Sequence, residues 1–297
     1  MFSRLIVATD LSPASFAVVN CLGGLKEFGA KECLLLQCIS MQEAASAALA
    51  YAETELDENL VRQKEILAAQ GFVVQTRVVP GLAKREINHI AASEDYALIV
   101  VGTQGHSLIS EALLGGVAYG VLHNARQPVL VVPIELMEGE GEDCVRATRC
   151  DFTGHVLFPT DFSDNADRAF TYLEKVVADG ARRVTLMHVQ DKERIEDHLK
   201  DRLDEFNRID QERLEALKTR LEGQGNARID IALRYGLPLA EISRFIQEQE
   251  VHLVIMGSQG RGFVKEVLLG SLSHNVVRSS IAPVLLIPAL REAGQGR

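Results

Sequence analysis

Nothing in this sequence supplies a basic face. Lysine and arginine total 31 against 41 aspartates and glutamates, a formal net charge of −10 at pH 7. A general nucleic-acid binder normally carries the opposite balance, so that class is set aside. An acidic chain can still hold a nucleotide, because backbone N–H groups alone can cradle phosphates. No apolar run reaches the roughly 18–20 residues of a membrane span. Met1-Phe2-Ser3-Arg4-Leu5 runs straight into a strand without a signal-peptide pattern. A cytoplasmic protein with no nucleic-acid or membrane partner is the expectation. Five cysteines occur, with no C-x-x-C and no His/Cys grouping at zinc spacing, so no protein-held metal is expected. Cys21, Cys33 and Cys38 fall in apolar segments and read as small core residues. Cys144 and Cys150 read as two free thiols in a loop, with a redox pair as the alternative. The Walker pattern G-x4-G-K-[ST] is missing, as are the three-glycine dinucleotide fingerprint and any Ser/His/Asp triad. These absences exclude a P-loop ATPase, argue against a dehydrogenase and leave no catalytic residue to name.

What is present is a glycine pattern, and it occurs twice. Gly257-Ser258-Gln259-Gly260 follows the apolar run Val251–Met256 and precedes, nine residues on, Gly270-Ser271-Leu272. Val100-Val101-Gly102-Thr103-Gln104-Gly105 is followed at the same distance by Gly115-Gly116. Other landmarks repeat in the same order. Ala8-Thr9-Asp10 answers to Pro159-Thr160-Asp161, Pro80-Gly81-Leu82 to Tyr235-Gly236-Leu237, and Pro128–Pro133 to Pro283–Pro288. Such recurrence marks a duplicated domain. The boundaries expected are 1–136 and 154–291, an acidic linker over 137–153 within a solvated stretch Glu135–Thr153, and a tail over 292–297.

Each half alternates strand and helix. The first should run strand Leu5–Thr9, helix Pro13–Phe28, strand Glu32–Ile39, long helix Gln42–Gln70, strand Val73–Val79, helix Leu82–Ser93, strand Ala97–Val101, helix Val117–Asn124 and strand Val129–Val132. The second repeats this, with one long helix over Lys192–Leu221 whose Ile195, Leu199, Leu203, Phe206, Leu214, Leu217 and Leu221 form an apolar stripe. Short apolar strands joined by helices imply parallel sheets covered on both faces. The ligand of such a sheet lies beyond the carboxyl ends of the strands. Asp161 and the glycine motif therefore reach one crevice. Asp161 is either a ligand contact or a turn residue, since Ser163 and Asn165 crowd the same turn. His188 reads as a hydrogen-bonded core histidine rather than a ligand. Cys38 stands where His188 stands, Ile39 matches Val189, and Gly116 replaces Ser271.

The G-x2-G-x9-G-[ST] pattern, the aspartate after the first strand and the closing Pro-Val-Leu strand together resemble the universal stress protein family in its tandem two-domain form. The resemblance covers nearly the whole chain. It implies two open five-stranded parallel sheets, Rossmann-like and similar to adenine-nucleotide alpha-hydrolases. It also implies ATP or AMP as ligand, with Mg2+ the metal a triphosphate would bring. The resemblance puts Pro159, Thr160 and Asp161 on the adenine or ribose side and Val189 against the base. Gly257, Gly260, Gly270 and Ser271 would hold the phosphates, flanked by Met256 and Leu272, with Arg261 in reach. Thr9, Asp10, Ile39, Gly102, Gly105, Gly115 and Gly116 would form a weaker first-domain site. The expected role is a stress-response regulator acting through an unidentified protein partner. A slow ATP hydrolase and a non-nucleotide interaction module are the alternatives.

The family resemblance further implies that Val129–Val132 pairs antiparallel with Val284–Ile287, an internal pseudo-dimer made effective by the tether between the halves. A second association into a homodimer is left open by the stripe on the long helices. The pseudo-dimer predicts one compact particle in small-angle scattering; two independently tumbling lobes would overturn it.

Overall fold

The computed structural model describes residues 1–42, 53–104, 114–136, 145–195, 202–260 and 269–290, with side chains in the 53–69 helix from residue 58 onward. The chain divides into two compact units, Met1–Cys150 and Asp151–Arg297. Among the described residues no helix is long and apolar enough to cross a membrane.

The first unit contains β1 (Arg4–Thr9), α1 (Pro13–Asn20), a 3-10 turn (Leu22–Lys26), β2 (Glu32–Ile39), α2 (Glu53–Ala69) and β3 (Val73–Pro80). It continues through α3 (Ala83–Ser93), β4 (Leu98–Gly102), α4 (Gly116–Asn124), β5 (Val129–Val132), β6 (Ile134–Leu136) and β7 (Val145–Ala147). Strands β1–β5 form a parallel sheet in the order β5-β4-β1-β2-β3. The second unit comprises β8 (His155–Pro159), α5 (Asp164–Ala178), β9 (Arg183–Asp191), α6 (Lys192–Ile195), α7 (Leu203–Glu222), β10 (Arg228–Gly236), α8 (Pro238–Glu248), β11 (Leu253–Gly257), α9 (Ser271–Ser279) and β12 (Val284–Ile287). Its parallel sheet runs β10-β9-β8-β11-β12, the same order. The cores are the central strands: Leu5, Ile6, Val7, Leu98, Ile99 and Val100 are wholly buried in one unit, and Val156, Leu157, Val254 and Ile255 in the other. Helices cover both faces, so these strands read as continuous apolar runs.

Three expectations need correction. The first helix stops at Asn20 rather than Phe28, and a 3-10 turn follows. Gly23 and Gly24 supply the physical reason, since glycine is among the weakest helix formers. Glu135–Thr153 is not a solvated linker throughout. Ile134–Leu136 pairs antiparallel with Val145–Ala147, Arg146 bridges Glu135 at 3.2 Å across the ladder, and α1 packs against the hairpin. These strands of three residues were too short to stand out from the acidic surroundings. Finally, Cys150 is neither a free thiol nor a partner of Cys144, which lies outside the described residues. It forms a disulfide with Cys21, their Cα atoms 4.8 Å apart. Cys21, expected to be a plain core residue, is therefore a cross-link between the end of α1 and the far side of the hairpin.

Cys33 and Cys38 are free. Burial pushes the Cys33 thiol up to about 12, and burial with the nearby Glu86 carboxylate pushes Cys38 up to about 11. Both stay protonated at neutral pH and are poor nucleophiles. The long helices expected over Gln42–Gln70 and Lys192–Leu221 are described as α2, α6 and α7; residues 43–52 and 196–201, including Leu199, lie outside the described residues.

The cross-link generates a test. Cys150→Ser, or reduction, should remove about 2–4 kcal/mol from the unfolding free energy of the first unit. The readout is a lower denaturant midpoint with native circular dichroism kept. An unchanged midpoint would show that the bond constrains nothing.

Candidate functional site

The site of the second unit begins at the turn after β8. Phe162 N–H donates to Thr160 Oγ1 at 3.0 Å, and Ser163 N–H donates to Asp161 Oδ1 at 3.1 Å. These overlapping side-chain turns hold Phe162 at φ 58°, the left-handed region that non-glycine residues seldom enter. Ser163 then caps α5, its hydroxyl accepting from Ala166 N–H. The turn reading of Asp161 is the one this geometry bears out. One carboxylate oxygen serves the turn. The other, Oδ2, lies 2.6 Å from where a Cβ on Gly260 would sit.

The glycine loop approaches protein before it approaches any ligand. A Cβ on Gly257 would run into the Asn165 amide. That amide donates to the Gln259 carbonyl at 3.3 Å, tying α5 to the loop. At Gly270 a Cβ would come within 3.3 Å of the Ser258 carbonyl. The reading of these glycines as gaps left for a ligand is therefore incomplete, because the loop's own packing already excludes side chains. Gly270 is the N-cap of α9 and no side chain caps that helix. Its first N–H groups have no intrahelical partners, and the dipole there favours an anion, worth roughly 0.3–1 kcal/mol. Ser271 occupies the first helical position, exposed, and does not cap. Ser273, one turn in, donates to the Gly257 carbonyl at 2.9 Å and fixes the helix to β11.

These parts line one cavity of about 1010 Å³ within the second unit. Pro159, Thr160, Asp161, Val189, Met256, Gly257, Gly260, Gly270, Ser271 and Leu272 all line it. Arg261 lies outside the described residues. The cavity also takes in His188, Gln190, Gln259, Asn275, Asp210 and Arg213, and an apolar wall of Ile195, Phe206, Ile209 and Ile242. His188 is hydrogen-bonded, as expected, yet it also faces the cavity. Its Nδ1 lies 2.7 Å from the Thr160 carbonyl, which can only accept, so Nδ1 carries the proton. Its Nε2 is 3.6 Å from Asp210, and its ring lies 4.7 Å from that of Phe162. Asp210, 9% exposed, accepts from Gln190 Nε2 at 3.0 Å. The sequence reading passed over Asp210 and Gln190. A signal existed: Leu203, Phe206, Asp210, Leu214, Leu217 and Leu221 follow helical spacing, so an aspartate sits in the apolar stripe of α7. Among the described residues no group of three or more His, Cys, Asp or Glu is arranged to hold a metal ion.

The first unit repeats the turn but not its surroundings. Leu11 stands at φ 60°, Leu11 N–H donates to Thr9 Oγ1, and Ser12 N–H donates to Asp10 Oδ1. Thr9 then donates to the wholly buried Gln63 at 2.7 Å, and Gln63 donates to Ser15. Gly102 ends β4, Gly115 is the N-cap of α4 and Gly116 its first residue; Gly105 lies outside the described residues. The expected matching of β2 with β9 is off by one. Thr9 pairs with Gln37 and Pro159 with Met187, while Pro80 pairs with Ile39 and Tyr235 with Gln190. Gln37 is therefore the counterpart of His188, Cys38 of Val189, and Ile39 of Gln190. Neither strand carries a local landmark that reveals such a slip; only the hydrogen-bond register exposes it.

The comparisons with known proteins meet this geometry. The universal stress protein family model matches residues 1–133 and again residues 153–288. The chain belongs to the universal stress protein family. A universal stress protein of Methanocaldococcus jannaschii is 32% identical, over 44% of this chain and 93% of its own length. One of Mycolicibacterium smegmatis is 27% identical over 73% of this chain and 69% of its own. The crystal structure of a universal stress protein from Archaeoglobus fulgidus superposes with a TM-score of 0.68 at 26% identity, covering 96% of this chain and 98% of that one.

If the cavity takes a nucleotide, Gly260→Ala should weaken its binding while the fold is kept, because the added methyl displaces the Asp161 carboxylate. A calorimetric titration beside a circular dichroism spectrum reads both. A folded variant with normal affinity would remove the Asp161–Gly260 contact from the site.

Proposed function

We propose that this universal stress protein binds ATP or AMP in its second unit and acts as a nucleotide-dependent regulator of a stress response. The observation that supports this most is the convergence of Asp161, the glycine loop and the uncapped start of α9 on one cavity at the carboxyl ends of parallel strands. Phosphates would take the N–H groups of Ser271 and Leu272, the Gly270 N–H being donated to the Ser258 carbonyl at 2.7 Å, and Asp161 Oδ2 would accept from a ribose hydroxyl. Val189, Met256 and Leu272 supply apolar contact for the base and sugar. Mg2+ would come with the triphosphate, held by phosphate and water rather than by a protein cage.

The first unit is the weaker site in this reading. Gly116 offers no hydroxyl where Ser271 does, Thr9 is engaged by Gln63, and Lys84 lies across Gly120, the counterpart of Asn275. A cytoplasmic setting belongs to the same proposal, and in that compartment the Cys21–Cys150 bond would open and close with redox state. Output would pass to a protein partner.

Mass spectrometry of small molecules released from the purified protein should find an adenine nucleotide. In the full chain, Asp161→Ala should cost about ten-fold or more in ATP affinity, and Ser271→Ala about two- to ten-fold, the range of one hydrogen bond. Asp10→Ala should change it far less. A larger loss from Asp10→Ala than from Asp161→Ala would reverse the assignment of the stronger site.

A further inference from the structure

The first helix of each unit meets its surroundings differently. In α5 the outward positions are polar: Asp164, Asp167, Thr171 and Lys175 are exposed. α1 has no such face. Ala14, Ser15, Phe16, Ala17, Val18 and Val19 are all buried, and a helix that is apolar all round has to be covered all round. The sheet covers it through β1 and β4, and the β6–β7 hairpin packs on it as well. The hairpin also bears on the glycine loop of the first unit. Ile134 N–H donates to Thr103 Oγ1 at 3.1 Å, and a Cβ on Gly102 would meet Val18 at 3.1 Å and Ile134 at 3.6 Å.

This cover has weak fastenings apart from the disulfide. Its strands have three residues each, and a two-stranded ribbon is marginally stable at best in water. Its Arg146–Glu135 pair is more than half exposed on both sides and so contributes little. The Cys21–Cys150 bond ties the far side of the hairpin to the end of α1, and its two halves are unequally placed. Cys21 is 1% exposed, whereas Cys150 is exposed. Exchange depends on access, and exposed disulfides are the labile ones. We propose that this bond is a thiol-operated switch: a small-molecule thiolate attacks the Cys150 sulfur, and the released hairpin uncovers α1 and loosens the glycine loop of the first unit. The attack forms a mixed disulfide on Cys150 and expels Cys21 as a thiolate, which takes a proton from water. A second thiolate then attacks the small molecule's own sulfur and frees Cys150, so two thiols become one disulfide as the protein gains two thiols. The switch rests on the cytoplasmic setting proposed above for its supply of thiol, and it does not depend on the nucleotide.

The test is amide hydrogen exchange on the full wild-type chain, oxidised and after excess reduced glutathione, without nucleotide. Amides of Ile134–Leu136, Val145–Ala147 and α1 should exchange about ten-fold faster or more once the bond is reduced, while β1 and β4 keep their protection. Unchanged exchange, or a bond that survives the glutathione, would overturn the proposal. Protection lost throughout the first unit would overturn it too, because the bond would then be a structural staple. The site of attack is read separately by mass spectrometry with glutathione disulfide, in a Cys144→Ser background. Cys21→Ser, which leaves Cys150, should take up glutathione about ten-fold faster or more than Cys150→Ser, which leaves Cys21. Equal rates would remove Cys150 as the point of attack. None of these outcomes touches the nucleotide reading, which stands or falls on the titrations of Asp161→Ala and Asp10→Ala.

Discussion

Each unit depends on the pairing of its first strand with its fourth. Leu253 and Val254 of β11 lie beside Val156 and Leu157 of β8, and Leu98–Val100 beside Leu5–Val7. Parallel strands need crossovers, and crossovers of one hand place successive strands outward from this pair in both directions. The two loops leaving the pair are thereby neighbours at the carboxyl edge, with Asp161 facing Gly260. No other pairing in the sheet would bring a residue near 161 to one near 260. The long-range contact is fixed by topology, and the side chains only refine it.

The refinement is made by polar groups answering one another. Asp161 closes a turn with one oxygen and faces the loop with the other. Asn165 reaches from α5 into that loop, and Ser273 ties α9 to β11. Buried polar groups in a low-dielectric interior hold geometry because leaving them unpaired is expensive. In the first unit the same demand is met inwardly: Thr9, Ser15 and Gln63 satisfy each other. The two units share a fold and a turn, and differ in whether the polar groups behind the turn face each other or the cavity.

The sequence carried the strand–helix alternation, the duplication and the glycine-aspartate constellation, because each is a local pattern and each appears twice. What it did not carry depends on partners distant along the chain. Cys21 and Cys150 are separated by 129 residues, and no local signal joins them. Asn165 looked like turn filler because its acceptor, Gln259, belongs to another loop. The one-residue slip between β2 and β9 arose because no local motif aligns the two strands, eight and nine residues long, and only their pairing with the neighbouring strands does. Asp210 was legible, an acid where the stripe wanted an apolar residue, and its neighbours Gln190, His188 and Arg213 account for it.

The disulfide also gives the first unit an unusual covalent topology. It closes a ring running from Cys21 through β2, β3, β4, β5 and the hairpin to Cys150, and β1 with the whole of α1 forms a tail attached to it. One peptide bond cut anywhere between the two cysteines opens the ring without releasing a fragment. The second unit, reached only through Cys150, would stay joined to β1 by sulfur alone after such a cut. A nicked chain would keep its full mass until a reductant separated it.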